Sequence, residues 1–158
     1  MKICIIYHSE SGNTRHVAQH LASACDAHLV EITDKTLYMK LIRFLVWCKK
    51  ARIEEKTGIE PAAADVSGYD VLIFGSPVWA FKPTPAIHTA IDSLKGCKGK
   101  KAVAFSTHGG RPGQTDETLR IWIESRGMKL VAVTGIHQKG IGNKKKTQEI
   151  VSIIISIK

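Results

Sequence analysis

The sequence predicts an α/β domain built on a doubly wound parallel sheet, and three observations lead there. Apolar, β-branched runs alternate with helical stripes five times along the chain. The first run is apolar without a break, as in a strand covered on both faces. The length, 158 residues, suits one domain and is short for two, so a single unit over 1–158 is expected.

Lys2 to Tyr7 is that first strand. Asn13 to Ala24 follows as a helix, with Val17, Leu21 and Ala24 spaced by four and three residues. Leu29 to Ile32 reads as the second strand, Val71 to Phe74 as the third, Ala102 to Phe105 as the fourth and Leu130 to Val133 as the fifth. Pro85 to Leu94 and Thr115 to Arg126 are helical between them. Lys144 to Ile157 has the length of a helix and the β-branched richness of a strand, and both readings stay open. Ligands of such sheets bind outside the carboxyl ends of the strands, where strand order reverses, so the residues after each strand carry the functional information.

With 44% hydrophobic and 23% charged residues, the composition excludes disordered and fibrous classes. Cys4, Cys25, Cys48 and Cys97 show no Cys-x-x-Cys and no paired histidines at zinc spacing, so reduced, mostly buried thiols are expected and a metal is not. The apolar stretch from Ile3 to Tyr7 is too short for a signal peptide, and Ile150 to Ile157 is far below the ~20 residues of a spanning helix. A cytoplasmic protein without a transmembrane segment is the expectation. The net charge of +9 favours anionic partners without choosing among them. Nucleic acid is not favoured: Lys144, Lys145 and Lys146 read as a solvated cluster, and no recognised binding module is present.

Three loops follow the strands. In the first, Ser9, Ser11 and Thr14 offer hydroxyls, Gly12 allows close backbone approach, and the free amides of a helix start add partial positive charge. Three hydroxyls and a glycine in six residues exceed what a helix cap requires and point to a phosphate. Neither Gly-x-x-x-x-Gly-Lys-Ser/Thr nor Gly-x-Gly-x-x-Gly is present after the first strand, which weakens ATP and dinucleotide readings. The second loop, Gly75 to Pro85, is stiffened by Pro77, Pro83 and Pro85, with Gly75 relieving the strand exit and Trp79 offering a flat face for stacking. The third, Ser106 to Gly113, has the paired glycines Gly109 and Gly110, whose amides can turn toward a ligand edge.

The run from Ile5 to Leu21, with Tyr7, Ser9, Ser11, Gly12, Asn13, Thr14 and Ala18 in place, resembles the signature of the flavodoxin family. The resemblance covers nearly the whole chain and implies a flavodoxin-like five-stranded parallel sheet in the order 2-1-3-4-5, with FMN as cofactor. It implies a role at the FMN phosphate for Ser9, Ser11, Gly12, Asn13 and Thr14. It places Ser76, Pro77, Val78, Trp79, Ala80 and Phe81 at one side of the flavin ring and Thr107, His108, Gly109 and Gly110 at the other. Many flavodoxins have a tyrosine in the third loop; this chain has none, so either His108 stands in or that flavin face is open.

One departure is the insertion of about 34–67, longer than the family usually has. Leu37, Leu41, Phe44, Leu45 and Cys48 form a stripe, while Tyr38, Met39, Ile42, Val46 and Trp47 make most of the circumference apolar as well. Packing on the sheet edge, a homodimer through 37–48, cover for the flavin and contact with a lipid surface are the readings this permits. A second departure is charge: flavodoxins are typically acidic, whereas this chain is basic and would stabilise an anionic reduced flavin. The functional expectation is electron transfer between redox partner proteins, acidic ones by charge. The alternative is an FMN-containing oxidoreductase that takes hydride from NAD(P)H and reduces a quinone or a flavin. No residue is assigned as a catalytic acid or base.

Overall fold

The computed structural model describes residues 1–35 and 57–157. In chain order it contains β1 (Ile3–His8), α1 (Asn13–Cys25), β2 (His28–Asp34), β3 (Ile59–Glu60), β4 (Val71–Trp79), β5 (Lys82–Pro83), α2 (Pro85–Ser93), β6 (Lys101–His108), α3 (Thr115–Ser125), β7 (Lys129–His137), a 3-10 segment (Gln138–Asn143) and α4 (Lys145–Ser156). Strands β2, β1, β4, β6 and β7 lie side by side in that order and all run parallel. This is the order 2-1-3-4-5 of the five expected strands. Two short strands extend it: β3 pairs antiparallel with the edge strand β2, and β5 folds back antiparallel on β4. Each has two residues, too few to leave a periodic signal.

The pleat sorts side chains into two cores. Cys4 and Ile6 of β1, Leu72 and Phe74 of β4, and Ala102 and Ala104 of β6 meet Ala86, Ile87, Ala90 and Ile91 of α2 and Leu119, Trp122 and Ile123 of α3. Their neighbours Ile3, Ile5 and Tyr7, Val71 and Ile73, and Val103 and Phe105 meet Val17, Ala18 and Leu21 of α1 and Ile150 and Ile154 of α4. Period-two alternation therefore places every other residue against a different helix pair. In α4 the buried positions Thr147, Ile150 and Ile154 are spaced by three and four, so the helical period prevails over β-branched propensity. Of the insertion, Thr57 donates to Asp34 Oδ1 at 2.8 Å and Lys35 N–H donates to the Gly58 carbonyl at 2.8 Å, tying its return to the end of β2. The segment 37–48, with the expected dimer surface, lies outside the described residues.

Gly75 corrects an expectation. It does not relieve a strand exit but sits inside β4, which pairs with β6 as far as Pro77 and with β5 on to Trp79. A Cβ at Gly75 would stand 2.3 Å from Cζ of Phe105, so the glycine makes room for a fully buried ring in the α1/α4 core. Gly75→Ala is expected to destabilise the fold by about 2–3 kcal/mol, and Phe105→Leu in the same background should recover part of the loss. Urea unfolding of the apoprotein checks this, and a Gly75→Ala variant as stable as the parent would contradict it.

Candidate functional site

The chain leaves β1 and enters β2 on one side, and enters β4 on the other, so strand order reverses at β1. The crevice at the carboxyl ends of β1 and β4 is the address such a topology assigns to a ligand. Ser9 is buried and its Oγ accepts the Arg15 N–H at 3.1 Å, which caps one amide of α1. The amides ahead of Arg15 have no acceptor inside the helix. Gly12 has φ of 93° and a Cβ there would meet nothing within 4 Å, so the loop turns through a glycine conformation beside open space. Ser11 is exposed and Asn13 half-buried. Thr14 is buried, and its Oγ1 lies 2.8 Å from Oγ1 of Thr107 at the end of β6. One of these two hydroxyls donates to the other, leaving a single hydroxyl proton for a further acceptor.

The second expected loop is largely a hairpin. Pro77, Val78 and Trp79 belong to β4, Val78 pairs with Pro83 and Trp79 with Lys82, and only Ala80 and Phe81 form the turn. Both have positive φ, 48° and 68°, the turn geometry whose twist matches the strands it joins. Ser76 is fully buried; its Oγ donates to the Pro77 carbonyl at 2.9 Å and accepts the Thr84 N–H at 3.0 Å. Its hydroxyl thus holds the hairpin, while Thr84 and Pro85 begin α2.

The third loop closes on that hairpin. Gln114 N–H donates to the Phe81 carbonyl at 2.9 Å, and Gly113 packs so closely that a Cβ would come within 2.3 Å of the Phe81 Cβ. Between the two lies a pocket of about 200 Å³ lined by Val78, Ala80, Phe81, His108, Gly109, Gly110 and Arg111. Six of these seven are expected ring-side residues; Ser76, Pro77, Trp79 and Thr107 lie off its wall. Two larger hollows, of about 500 and 730 Å³, open at the opposite edge of the sheet around Cys97 to Arg126 and around Lys98 to Lys101. Neither contains a strand-end loop, so the smaller pocket is the one that matches the topology.

Beside the first loop, the contacts of Tyr7 and the burial of His8 escape pattern reading. Tyr7 donates to Glu31 Oε2 at 2.9 Å, and Arg15 of α1 reaches the same carboxylate with Nη2 at 2.5 Å. Burial, then the bond to Glu31, pushes the Tyr7 hydroxyl up to about 12. His8 is 3% exposed, its Nδ1 has no partner among the described residues, and its ring meets Trp79 edge-on at 5.4 Å. Burial pushes it down to about 4 against the opposing pull of Asp34 and Glu31. An unpartnered buried nitrogen next to an open glycine turn and free helix amides fits a site completed by a polar, phosphate-bearing group. The ring contact of His8 is with Trp79, far from it in sequence, so neither motif nor spacing signals it.

A neutral His8 makes stability depend on pH. The unfolded chain binds this proton near the ordinary value of 6.5 and the folded chain only near 4, so between these values the unfolded state holds more protons. His8 contributes in full above about pH 6.5, and the contribution drains away as pH falls toward 4. Wild type should lose about 2 kcal/mol more than His8→Asn between pH 7 and 4.5. Urea unfolding of the apoproteins measures this, and equal losses would contradict it.

The sequence pattern of the NADPH-dependent FMN reductase family matches residues 1–138. No curated protein sequence matches the chain. Among solved structures it is similar to a flavoprotein in complex with FMN from Lactobacillus acidophilus, with TM-score 0.69 and 21% identity over 90% of this chain and 97% of that one. It is similar to oxidised flavodoxin 2 from Bacillus cereus, with TM-score 0.65 and 18% identity over 100% of both chains. An NADH:FMN oxidoreductase in its apo form gives TM-score 0.65 and 18% identity over 99% of this chain and 88% of that one. At these identities the structures establish a flavodoxin-like fold, and the family pattern reaches from β1 to the end of β7. The chain belongs to the NADPH-dependent FMN reductase family, whose cofactor is FMN.

Proposed function

We propose that this protein acts in electron transfer, with FMN held by the three loops at the carboxyl edge of the sheet. Ser9, Ser11, Gly12, Asn13 and Thr14 would hold the phosphate, and the 76–81 and 107–110 segments would flank the ring. The observation that carries this reading is the joint pocket of Val78, Ala80, Phe81 and residues 108–111, tied to the start of α1 by the bond between Thr14 and Thr107. FMN supplies one- and two-electron chemistry when bound; the protein supplies binding, orientation and field. Tyr7 and His8, the ionisable groups just before the first loop, are both neutral at pH 7, with one held near 12 and the other near 4. The net charge of +9 supports acidic redox partner proteins.

A second reading makes NADPH the direct electron source, and the family match favours it. Among the described residues no helix is long and apolar enough to cross a membrane, and we place the protein in the cytoplasm as a single domain over 1–158. Anaerobic mixing of the FMN-loaded protein with NADPH separates the readings. Flavin left oxidised over minutes supports a carrier fed by a protein donor, whereas rapid bleaching overturns it in favour of the reductase.

Two further outcomes are expected. Ser11→Ala should weaken FMN binding about tenfold by removing one hydrogen bond to a charged group, while leaving riboflavin, which lacks the phosphate, unchanged; equal losses for both ligands would contradict the phosphate role. The basic field should give a less negative potential for the last electron than in acidic flavodoxins. Redox titration of the loaded protein checks it, and a typical very low value would contradict it.

A further inference from the structure

Two imidazoles hold the carbonyls of the third loop. His108 ends β6 and His137 ends β7, paired in register, and their rings meet edge to face with centroids 5.4 Å apart. His108 Nδ1 lies 2.7 Å from the Gly110 carbonyl oxygen, and His137 Nε2 lies 3.1 Å from that of Gly109. A carbonyl oxygen only accepts, so each of these nitrogens carries a proton. The Lys139 N–H donates to Nδ1 of His137 at 3.2 Å, so that nitrogen is bare and the Nε2–H tautomer of His137 is set by the backbone of the 3-10 segment. Gly109 is also pressed from this side: a Cβ there would meet the Gln138 side-chain amide at 3.1 to 3.3 Å.

A trans peptide is planar, with its N–H pointing opposite to its carbonyl. When His137 holds the Gly109 carbonyl, the Gly110 N–H is turned away from His137; when His108 holds the Gly110 carbonyl, the same follows for Arg111. Both residues line the pocket shared with the hairpin.

We infer that His137 is a positioning residue: through the Gly109 carbonyl it sets the peptide plane that a flavin ring in this pocket meets. The inference rests on the reading that the ring occupies the pocket, and it concerns a residue outside the three strand-end loops of the motif. Pre-orientation of this kind strengthens binding by removing the ordering that a free glycine pair would otherwise undergo on contact. It acts on the ring side alone, so the phosphate should be indifferent to it.

The test uses His137→Phe, which keeps a flat ring against His108 but has no donor, His137→Leu as a second donor-free variant, and His137→Gln, whose side-chain amide restores one. Dissociation constants for FMN and for riboflavin are read by flavin fluorescence quenching, alongside thermal unfolding of each apoprotein and the midpoint potential of each loaded protein. Expected are about tenfold weaker binding of both flavins to the Phe and Leu variants, a shifted potential, unfolding of the apoproteins within a few degrees of wild type, and recovery of most of the affinity by His137→Gln. Wild-type affinity in the donor-free variants overturns the inference while leaving the proposed site intact. So does a loss confined to FMN, and so does a loss that His137→Gln fails to recover. Absence of flavin binding by wild type overturns the inference and the proposed site together.

Discussion

The central strands β1, β4 and β6 are buried on both faces, and the placement of everything functional follows from that. Alternate residues of β1, β4 and β6 are consumed by one helix pair or the other, so the sheet has no face left to work with. Chemistry is confined to its edges. All five strands end on the same edge, which gathers the start of α1, the β4–β5 hairpin and the third loop into one place. The buried contact between Thr14 and Thr107, 93 positions apart, is the direct tie across that edge.

Strain is placed there as well. Ala80 and Phe81 occupy the left-handed region that glycine favours, at a cost of order 1 kcal/mol each. The cost is borne because the hairpin is held at three points: the pairs of Val78 with Pro83 and Trp79 with Lys82, the Ser76 hydroxyl beneath it, and the Gln114 amide on the Phe81 carbonyl. A turn so overdetermined offers a ligand a preformed wall. Phe81 is 61% exposed, an apolar residue left beside the pocket rather than in a core.

The layout was largely legible in the sequence because it depends on local periodicity. The unbroken run in β1, the 3–4 spacing in α1 and the hydroxyl-rich turn at Ser9 to Thr14 each sit in a window of a few residues. What could not be read depends on partners distant in the chain. Gly75 has the composition of a loop glycine, and only Phe105, thirty residues on, reveals it as a packing glycine. Pro77 suggests a strand end, yet β6 pairs with the strand up to it and β5 carries the pairing on to Trp79. Ser76 and Thr107 are hydroxyls where the sequence suggests loops, yet both lie in strands and the fold spends them on Thr84 and Thr14. His8 and His137 have no spacing to mark them, since a buried nitrogen and a carbonyl clamp are properties of packing.

In the proposed function the flavin occupies the carboxyl edge and not the two larger hollows at the other end of the sheet. Amide chemical-shift mapping of labelled apoprotein titrated with FMN tests it most directly. The largest shifts are expected at Gly12, Asn13, Phe81, Gly109 and Gly110, with Lys98 to Lys101 and Gly127 unmoved. Shifts centred on Lys98 to Lys101 or on Gly127, with the three loops silent, would contradict it.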